Sequence, residues 1–574
     1  MEAGSILVRH GLLSPEQLEQ LNGHSHSTAD LIEAATRLGM VSEPDALQAL
    51  AKDTGLDFAD LRETDVDLSL LEGFPTKLIH RESIFPIRRE NGQLIVATSD
   101  PFDLYPIDEV SAATGDSVIP ILASRGEINR LANQFLGVGS ETVDGLLEAR
   151  GDDDLQLLGD FDTDGSELSE MAQEASVVRL VNELLLEAIN SRASDVHIES
   201  QAAGLVVRYR IDGMLHPQPV PPEINRFQAA IVSRLKIMAR MNIAEKRLPQ
   251  DGRIKLRVHG RDIDVRVSVI PMIHGEGLVM RILDKGAMVF DLQKLGLELE
   301  TYQTLSELIQ LPHGIFLVTG PTGSGKTTTL YSSLRQINKP NIKIITTEDP
   351  VEYQLDGINQ IQVHSKIGLT FATTLRSILR HDPDVVLVGE IRDLETAENA
   401  IQASLTGHLV FSTLHTNDAA GAYTRMVDMG VESFLVASTV EAVMAQRLVR
   451  TLCTSCRESY SPVKEDLPPD FPFEKLTGPL ANPKGCRECR NSGYTGRIGV
   501  YELLLTTERV RELAHNRASS WEVKKAGMDD GMKTLREDGW RKVINGITSV
   551  DEILRITKGD RILERGGRQK SGTS

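Results

Sequence analysis

The sequence contains no run approaching the roughly 18 consecutive apolar residues of a membrane-spanning helix, it has fewer basic than acidic residues, and it has four cysteines in 574 positions. The first absence argues against a chain that crosses a bilayer. The N-terminal stretch MEAGSILVRHG also lacks the basic flank and apolar core of a secretory signal, so a cytoplasmic protein is expected. Lys and Arg number 62 against 82 Asp and Glu, a net charge of −20. Such a surface repels nucleic acid unless a basic groove is concentrated locally, and no basic run is present, so nucleic acid is not an expected partner. The four cysteines all lie between positions 453 and 489. In a cytoplasmic chain that clustering points to metal rather than disulfides.

The remaining composition, 40% hydrophobic and 25% charged, is that of globular material, and the length calls for three or four domains. The first segment, 1–137, carries a weak repeat: Arg9-His-Gly11 followed by Ser14 and Gln17 matches Arg37-Leu-Gly39 followed by Ser42 and Asp45. In each copy Gly can end one helix and Ser can cap the next. Asn91-Gly92 between two apolar runs signals a hairpin, and Ser124 with Glu127 predicts a capping box for a helix ending near Leu136. This reads as a small α+β module. Residues 138–175 are one-sidedly acidic and predict a flexible linker. Within it, Asp160-Phe-Asp162-Thr-Asp164-Gly165 imitates a calcium loop, but Met171 stands where the bidentate Glu is needed, so the carboxylates are read as solvated linker. From 176 to 290, an amphipathic helix and arginine-rich strands with turns at Asp212-Gly213 and His259-Gly260 predict a second α+β domain.

The chemistry is carried by IFLVTGPTGSGKTTTL. A buried strand, Ile315 to Thr319, runs into Gly320, Pro321, Thr322, Gly323, Ser324, Gly325, Lys326, Thr327 and Thr328, a G-x-x-x-x-G-K-[ST] phosphate loop with a helix to follow. Its backbone N–H groups and helix N-terminus suit the phosphates of ATP, Lys326 suits the β- and γ-phosphates, and Thr327 suits Mg2+. Three more apolar strands end in polar residues: IITTEDP at Glu348, DVVLVGEIRD at Glu390 and LVFSTLHTND at His415. At the carboxyl edge of one parallel sheet they would surround the γ-phosphate. The second is odd, because Gly389 and Glu390 stand where an Asp would normally hold magnesium.

GPTGSGKTTTL, TTEDPVEY, LRHDPDVVLVGEIRD and GHLVFSTLHTNDA resemble the Walker A, aspartate box, atypical Walker B and histidine box of the secretion ATPase superfamily that powers type II secretion and type IV pilus machines. The resemblance runs from about Ser176 to the C-terminal region. It implies an α/β multidomain P-loop NTPase: an N-terminal α+β docking module, an arginine-bearing α+β domain at 176–290, a RecA-like core at 291–450, a zinc-binding segment at 451–500, a C-terminal helical region at 501–562 and a disordered tail at 563–574. In this family the Gly-Glu pair replaces the Walker B Asp. Glu390 then takes the magnesium and water-ordering task, Glu348 acts as base, and Arg266 and Arg281 match phosphate-contacting positions, with Arg253 a weaker candidate. Cys453, Cys456, Cys486 and Cys489 form two C-x-x-C pairs suited to a closed tetrahedral Zn2+ site; by resemblance they mark secretion and pilus-extension motors rather than retraction motors.

Also implied are a homohexamer, docking to inner-membrane platform proteins, and a position peripheral to the inner membrane. Related N-terminal repeats bind a cyclic dinucleotide through an Arg/Lys-Leu-Gly start, but here Glu2-Ala3-Gly4 and Ala29-Asp30-Leu31 stand in those places, so that ligand is not expected. Type II secretion is favoured and pilus assembly is the alternative. A nucleic-acid translocase on the same core and a non-catalytic nucleotide-gated scaffold are the rivals of other classes.

Overall fold

The computed structural model describes residues 2–21, 28–136, 155–157 and 175–557, apart from positions 63, 76–77, 80–81, 221, 259, 285 and 287–289. The calcium-loop imitation and the C-terminal tail lie outside these residues. The chain forms two compact units, Met1–Gly286 and Ala287–Ser574.

In the first unit both copies of the repeat fold as the glycines and serines dictate. Gly11 and Gly39 take the left-handed conformation (φ 70° and 68°). Ser14 and Ser42 then accept from the N–H of Gln17 and Asp45, capping the next helix. Asn91 and Gly92, both at positive φ, close the hairpin of Ile84–Glu90 and Gln93–Thr98, and Ser117–Leu122 completes a three-stranded sheet. The expected capping box at Arg125–Leu136 does not form. The Ser124 hydroxyl donates instead to Glu43, and the Glu127 carboxylate accepts from the N–H of Leu61, because long-range partners outcompete the local pair.

A seven-stranded antiparallel sheet follows, in the order Leu155–Leu157, Gln250–Val258, Arg261–Met272, Gly275–Asp284, Asp195–Gln201, Gly204–Ile211, Met214–Gln218. One face is covered by helices Ala175–Asn190 and Gln228–Met238 over a core that includes Val196, Val207, Val265 and Met280. Its first strand corrects the linker reading: Leu155-Gln156-Leu157 supplies alternating apolar residues inside the acidic segment and pairs with the edge strand, Leu155 opposite Val258.

The second unit holds another seven-stranded sheet, in the order Asn359–Gln362, Ile344–Glu348, Val385–Val388, Leu409–Leu414, Gly314–Thr319, Val440–Leu452, Tyr494–Leu505. The first six strands are parallel and the last is antiparallel. Alternate residues of its central strands feed two cores. Ile315, Leu317, Val386 and Val410 go to one, and Phe316, Val318, Leu387 and Phe411 to the other, which is why these strands read as unbroken apolar runs. The boundary expected at 500 falls inside Tyr494–Leu505. The cysteine segment is therefore an excursion between two long paired strands, held at its root by the pairing of Leu452 with Tyr494. Among the described residues no helix is long and apolar enough to cross a membrane.

Candidate functional site

The neighbour order within the parallel sheet gathers the motifs at one edge. Gly314–Thr319 delivers the loop Gly320–Gly325, and helix Lys326–Ile337 starts directly after it. Gly320 (φ 151°) and Gly325 (φ 88°) are required twice over. Each lies in a backbone region that side chains avoid, and a Cβ would stand 2.5 Å from the Gln446 carbonyl or 2.7 Å from the Gln446 Nε2, respectively. The buried Ser324 hydroxyl has no hydrogen-bond partner among the described residues, and Thr327 is exposed. Glycine backbone, an orphaned hydroxyl and a helix N-terminus form a donor set that fits phosphate. Lys326 Nζ donates to the carbonyls of Gly320 (2.7 Å) and Pro321 (3.1 Å). Burial pulls this ammonium down to about 8; Glu390 opposes the fall and Arg447 adds to it.

Glu390, just past Val385–Val388, is mostly buried and lies 2.6 Å from Arg392 Nη2 and 3.3 Å from His415 Nε2. His415 follows Leu409–Leu414 and is half exposed. The oddity of Gly389 has a local cause. Its N–H donates to the Thr347 carbonyl (2.8 Å), and a Cβ there would lie only 3.2 Å from that oxygen and 3.3 Å from Glu348 Cα. A side chain at 389 would press on these two strand ends, and the carboxylate stands one residue on, at Glu390.

Glu348 ends its strand 5% exposed, with its oxygens engaged. Tyr331 Oη donates to one, while Thr346 Oγ1 (2.6 Å) and Gln360 Nε2 (3.1 Å) donate to the other. Burial and this carboxylate raise the Tyr331 phenol above its ordinary range. The structure thus groups Lys326, Glu390 and His415 with open geometry, and sets Glu348 in a closed shell.

In the first unit Arg253 pairs opposite Arg266, Arg266 opposite Arg281, Arg281 opposite Asp195 and Asp195 opposite Arg210. Directly opposed residues share a face, so four arginines and one aspartate make a row across five strands, on the face away from the helices. Like charges opposite one another are destabilising. Arg253 is partly compensated by Asp264, and Arg281 by Asp195 at 3.2 Å.

The four cysteine sulfurs lie within 4.8 Å of one another. The separations Cys453–Cys486, Cys456–Cys489 and Cys486–Cys489 are 3.9, 3.7 and 3.7 Å. A disulfide needs about 2.05 Å, whereas a tetrahedral zinc with Zn–S of about 2.3 Å spaces sulfurs by roughly 3.8 Å. The N–H groups of Cys486 and Gly493 donate to Cys489 Sγ, both at 3.1 Å, as suits a thiolate. These residues fit zinc.

The sequence reading missed Tyr331, Arg392, Gln446 and Arg447. The signal for the last two was available: a Gln-Arg pair interrupts the apolar run of Val440–Leu452. Gln446 is 2% exposed, and its side chain lies beneath the phosphate loop and accepts from Thr329 Oγ1 (2.8 Å).

The sequence matches the Type II/IV secretion system protein family over residues 170–555 and the MshEN domain over residues 54–142. It is 42% identical over 562 residues to the Type II secretion system protein E of Xanthomonas campestris pv. campestris, covering 96% of this chain and 98% of that one. It is 40% identical over 563 residues to the Type IV pilus assembly ATPase PilB of Myxococcus xanthus, covering 97% and 99%. Among solved structures it is similar to the Legionella pneumophila ATPase DotB, with a TM-score of 0.49 and 23% identity over 65% of this chain and 94% of that one. The phosphate loop and its ring of polar strand ends therefore sit in a chain that belongs to the type II/IV secretion system protein family.

Proposed function

We propose that the protein is a hexameric ATPase motor that hydrolyses ATP to drive pseudopilus assembly and export by a type II secretion system, docked to platform proteins at the inner membrane. The observation that carries this reading is the cluster of Lys326, Glu390 and His415 beside the glycine-built phosphate loop. Lys326 holds the β/γ-phosphates. Thr327 and Glu390 are the residues that would hold magnesium, which when bound neutralises charge between the phosphate oxygens. Glu390 also orders the attacking water. Glu348 acts as base once its shell of Tyr331, Thr346 and Gln360 exchanges a donor for that water. The arginine row supplies guanidinium to the phosphate as the assembled motor cycles, and its unfavourable like-charge register is what supports that reading. The tetracysteine site is structural zinc, since four thiolates leave no open position for chemistry.

Whole-length similarity to both a secretion protein E and a pilus assembly ATPase keeps pilus extension as a second reading. Two experiments test the assignment. Phosphate release by the purified full chain, with and without DNA or RNA, should show turnover that nucleic acid does not stimulate. Deletion in the native host, scored for extracellular protein and surface pili together, should abolish release and spare pili; the opposite pattern assigns the chain to pilus assembly.

A further inference from the structure

Arg447 is a half-buried cation that the machinery above does not use. It lies on Val440–Leu452, the strand paired directly with Gly314–Thr319, so that Thr319 faces Ala445 and the next residues run alongside Gly320 and Pro321. Its Nη1 stands 3.0 Å from where a Cβ of Gly320 would be, and Gly320 is the residue whose carbonyl accepts from Lys326. Two main-chain carbonyls fix the guanidinium: Nη1 donates to Gln446 (3.0 Å) and Nη2 to Asn417 (2.7 Å), in the loop that follows His415. Five N–H donors are available on a guanidinium, and these contacts leave some of them free to turn toward the loop.

The charge is also uncompensated at contact range. Among the described residues Arg447 makes no ion pair. Burial lowers its affinity for the proton, with Glu502 and Asp418 opposing from farther off, and its field reaches Lys326. Two partly buried cations side by side are costly unless an anion lies between them. Beside a phosphate loop, that anion is a phosphate of the bound nucleotide.

We propose that Arg447 is a second phosphate-contacting cation of the nucleotide site, supplied by the same chain, whose guanidinium binds oxygens of the terminal phosphate beside Lys326 and reports them to the histidine loop through the Asn417 carbonyl. This rests on the ATPase reading. It predicts that Arg447 distinguishes ATP from ADP, because ADP lacks the group it contacts.

The test measures ATP and ADP affinities of the full-length protein, together with KM, kcat and thermal melting, for the wild type, Arg447→Gln and Arg447→Lys. A charge-assisted contact to phosphate is strong enough that Arg447→Gln should weaken ATP relative to ADP by roughly tenfold or more. Arg447→Lys should fall between the two, because an ammonium cannot reproduce the guanidinium fork. Melting should stay near wild type. An unchanged ATP/ADP ratio in a folded Arg447→Gln protein overturns the proposal, as does equal weakening of both nucleotides, which would make Arg447 a mere support of the loop. Should Arg447→Gln not fold, Arg447→Lys decides: a ratio lowered severalfold supports the contact, and a wild-type ratio overturns it. Wild-type protein that binds nucleotide but does not turn over counts against the motor reading alone, and the ratio still decides on Arg447. Wild-type protein that binds no nucleotide overturns both.

Discussion

The two units each contain a seven-stranded sheet, and the two sheets place polar residues in opposite ways. In the mostly parallel sheet of Ala287–Ser574 both faces of the central strands are buried, and the candidate residues gather at one edge, at or just past strand ends: Lys326, Glu348, Glu390 and His415. In the antiparallel sheet of Met1–Gly286 the described helices cover one face, and the arginines run across the other in register, from Arg253 to Arg210. A parallel sheet concentrates a site at its edge. An antiparallel sheet with one open face spreads a site over its surface.

If that difference governs function, substitutions at the edge and in the row should both lower turnover, with the edge cation costing most. The largest effect is expected for Lys326→Ala, which removes the fixed cation from the β/γ-phosphates and should lower turnover by about 10³-fold or more; phosphate release near the wild-type rate would break the edge assignment. Next come Arg266→Ala and Arg281→Ala, each expected to cost up to about 10³-fold at saturating ATP, the lower end of the range for phosphate-directed arginines. Two single variants at wild-type rate would show that the row serves something other than phosphate.

The two edge carboxylates sharpen the comparison further. Glu348→Gln should slow the chemical step by about 10²–10⁴ while ATP and magnesium still bind. Glu390→Gln should raise the magnesium concentration needed, because a charged oxygen ligand becomes neutral. ATPase rate measured against magnesium checks both, and a magnesium shift in Glu348→Gln alone reverses the two roles.

Outside both sheet sites, Cys486→Ser should release the metal and loosen the cysteine segment before the phosphate loop, given apparent binding energies of roughly 10–16 kcal/mol for such zinc sites. Zinc content and limited proteolysis measure this, and protein purified without chelators that contains no zinc counts against it.

The smallest effect concerns Glu552, in helix Val550–Ile556. Burial works against its charge, but hydrogen bonds from Arg555 and Arg450 outweigh it and hold the carboxyl at about 2. A carboxylate depressed on folding contributes stability above its ordinary value near 4.5 and loses it as pH falls toward 2, here on the order of 3 kcal/mol. Glu552→Gln should therefore flatten the acid limb of the stability curve between those pH values, as followed by denaturant unfolding. An unchanged limb would place the acid sensitivity elsewhere.

The sequence by itself determined the local and the edge-borne features, because their causes are contiguous. The turn at Asn91-Gly92, the caps at Ser14 and Ser42, and the phosphate loop each need only a few neighbouring residues in a fixed order. The two C-x-x-C pairs and the Gly-Glu signature were legible for the same reason.

What only the tertiary structure decided depends on contacts between distant segments. Ser124 and Glu127 had the spacing of a capping box but were claimed by Glu43 and Leu61. Leu155–Leu157 looked like linker until an edge strand offered it backbone partners. The arginine row exists only in register, with Arg281 meeting Asp195 across 86 positions of chain. Arg447 reaches the phosphate loop because two strands far apart in sequence pair side by side. Local patterns state what each residue can do; pairing register states which other residue it does it with.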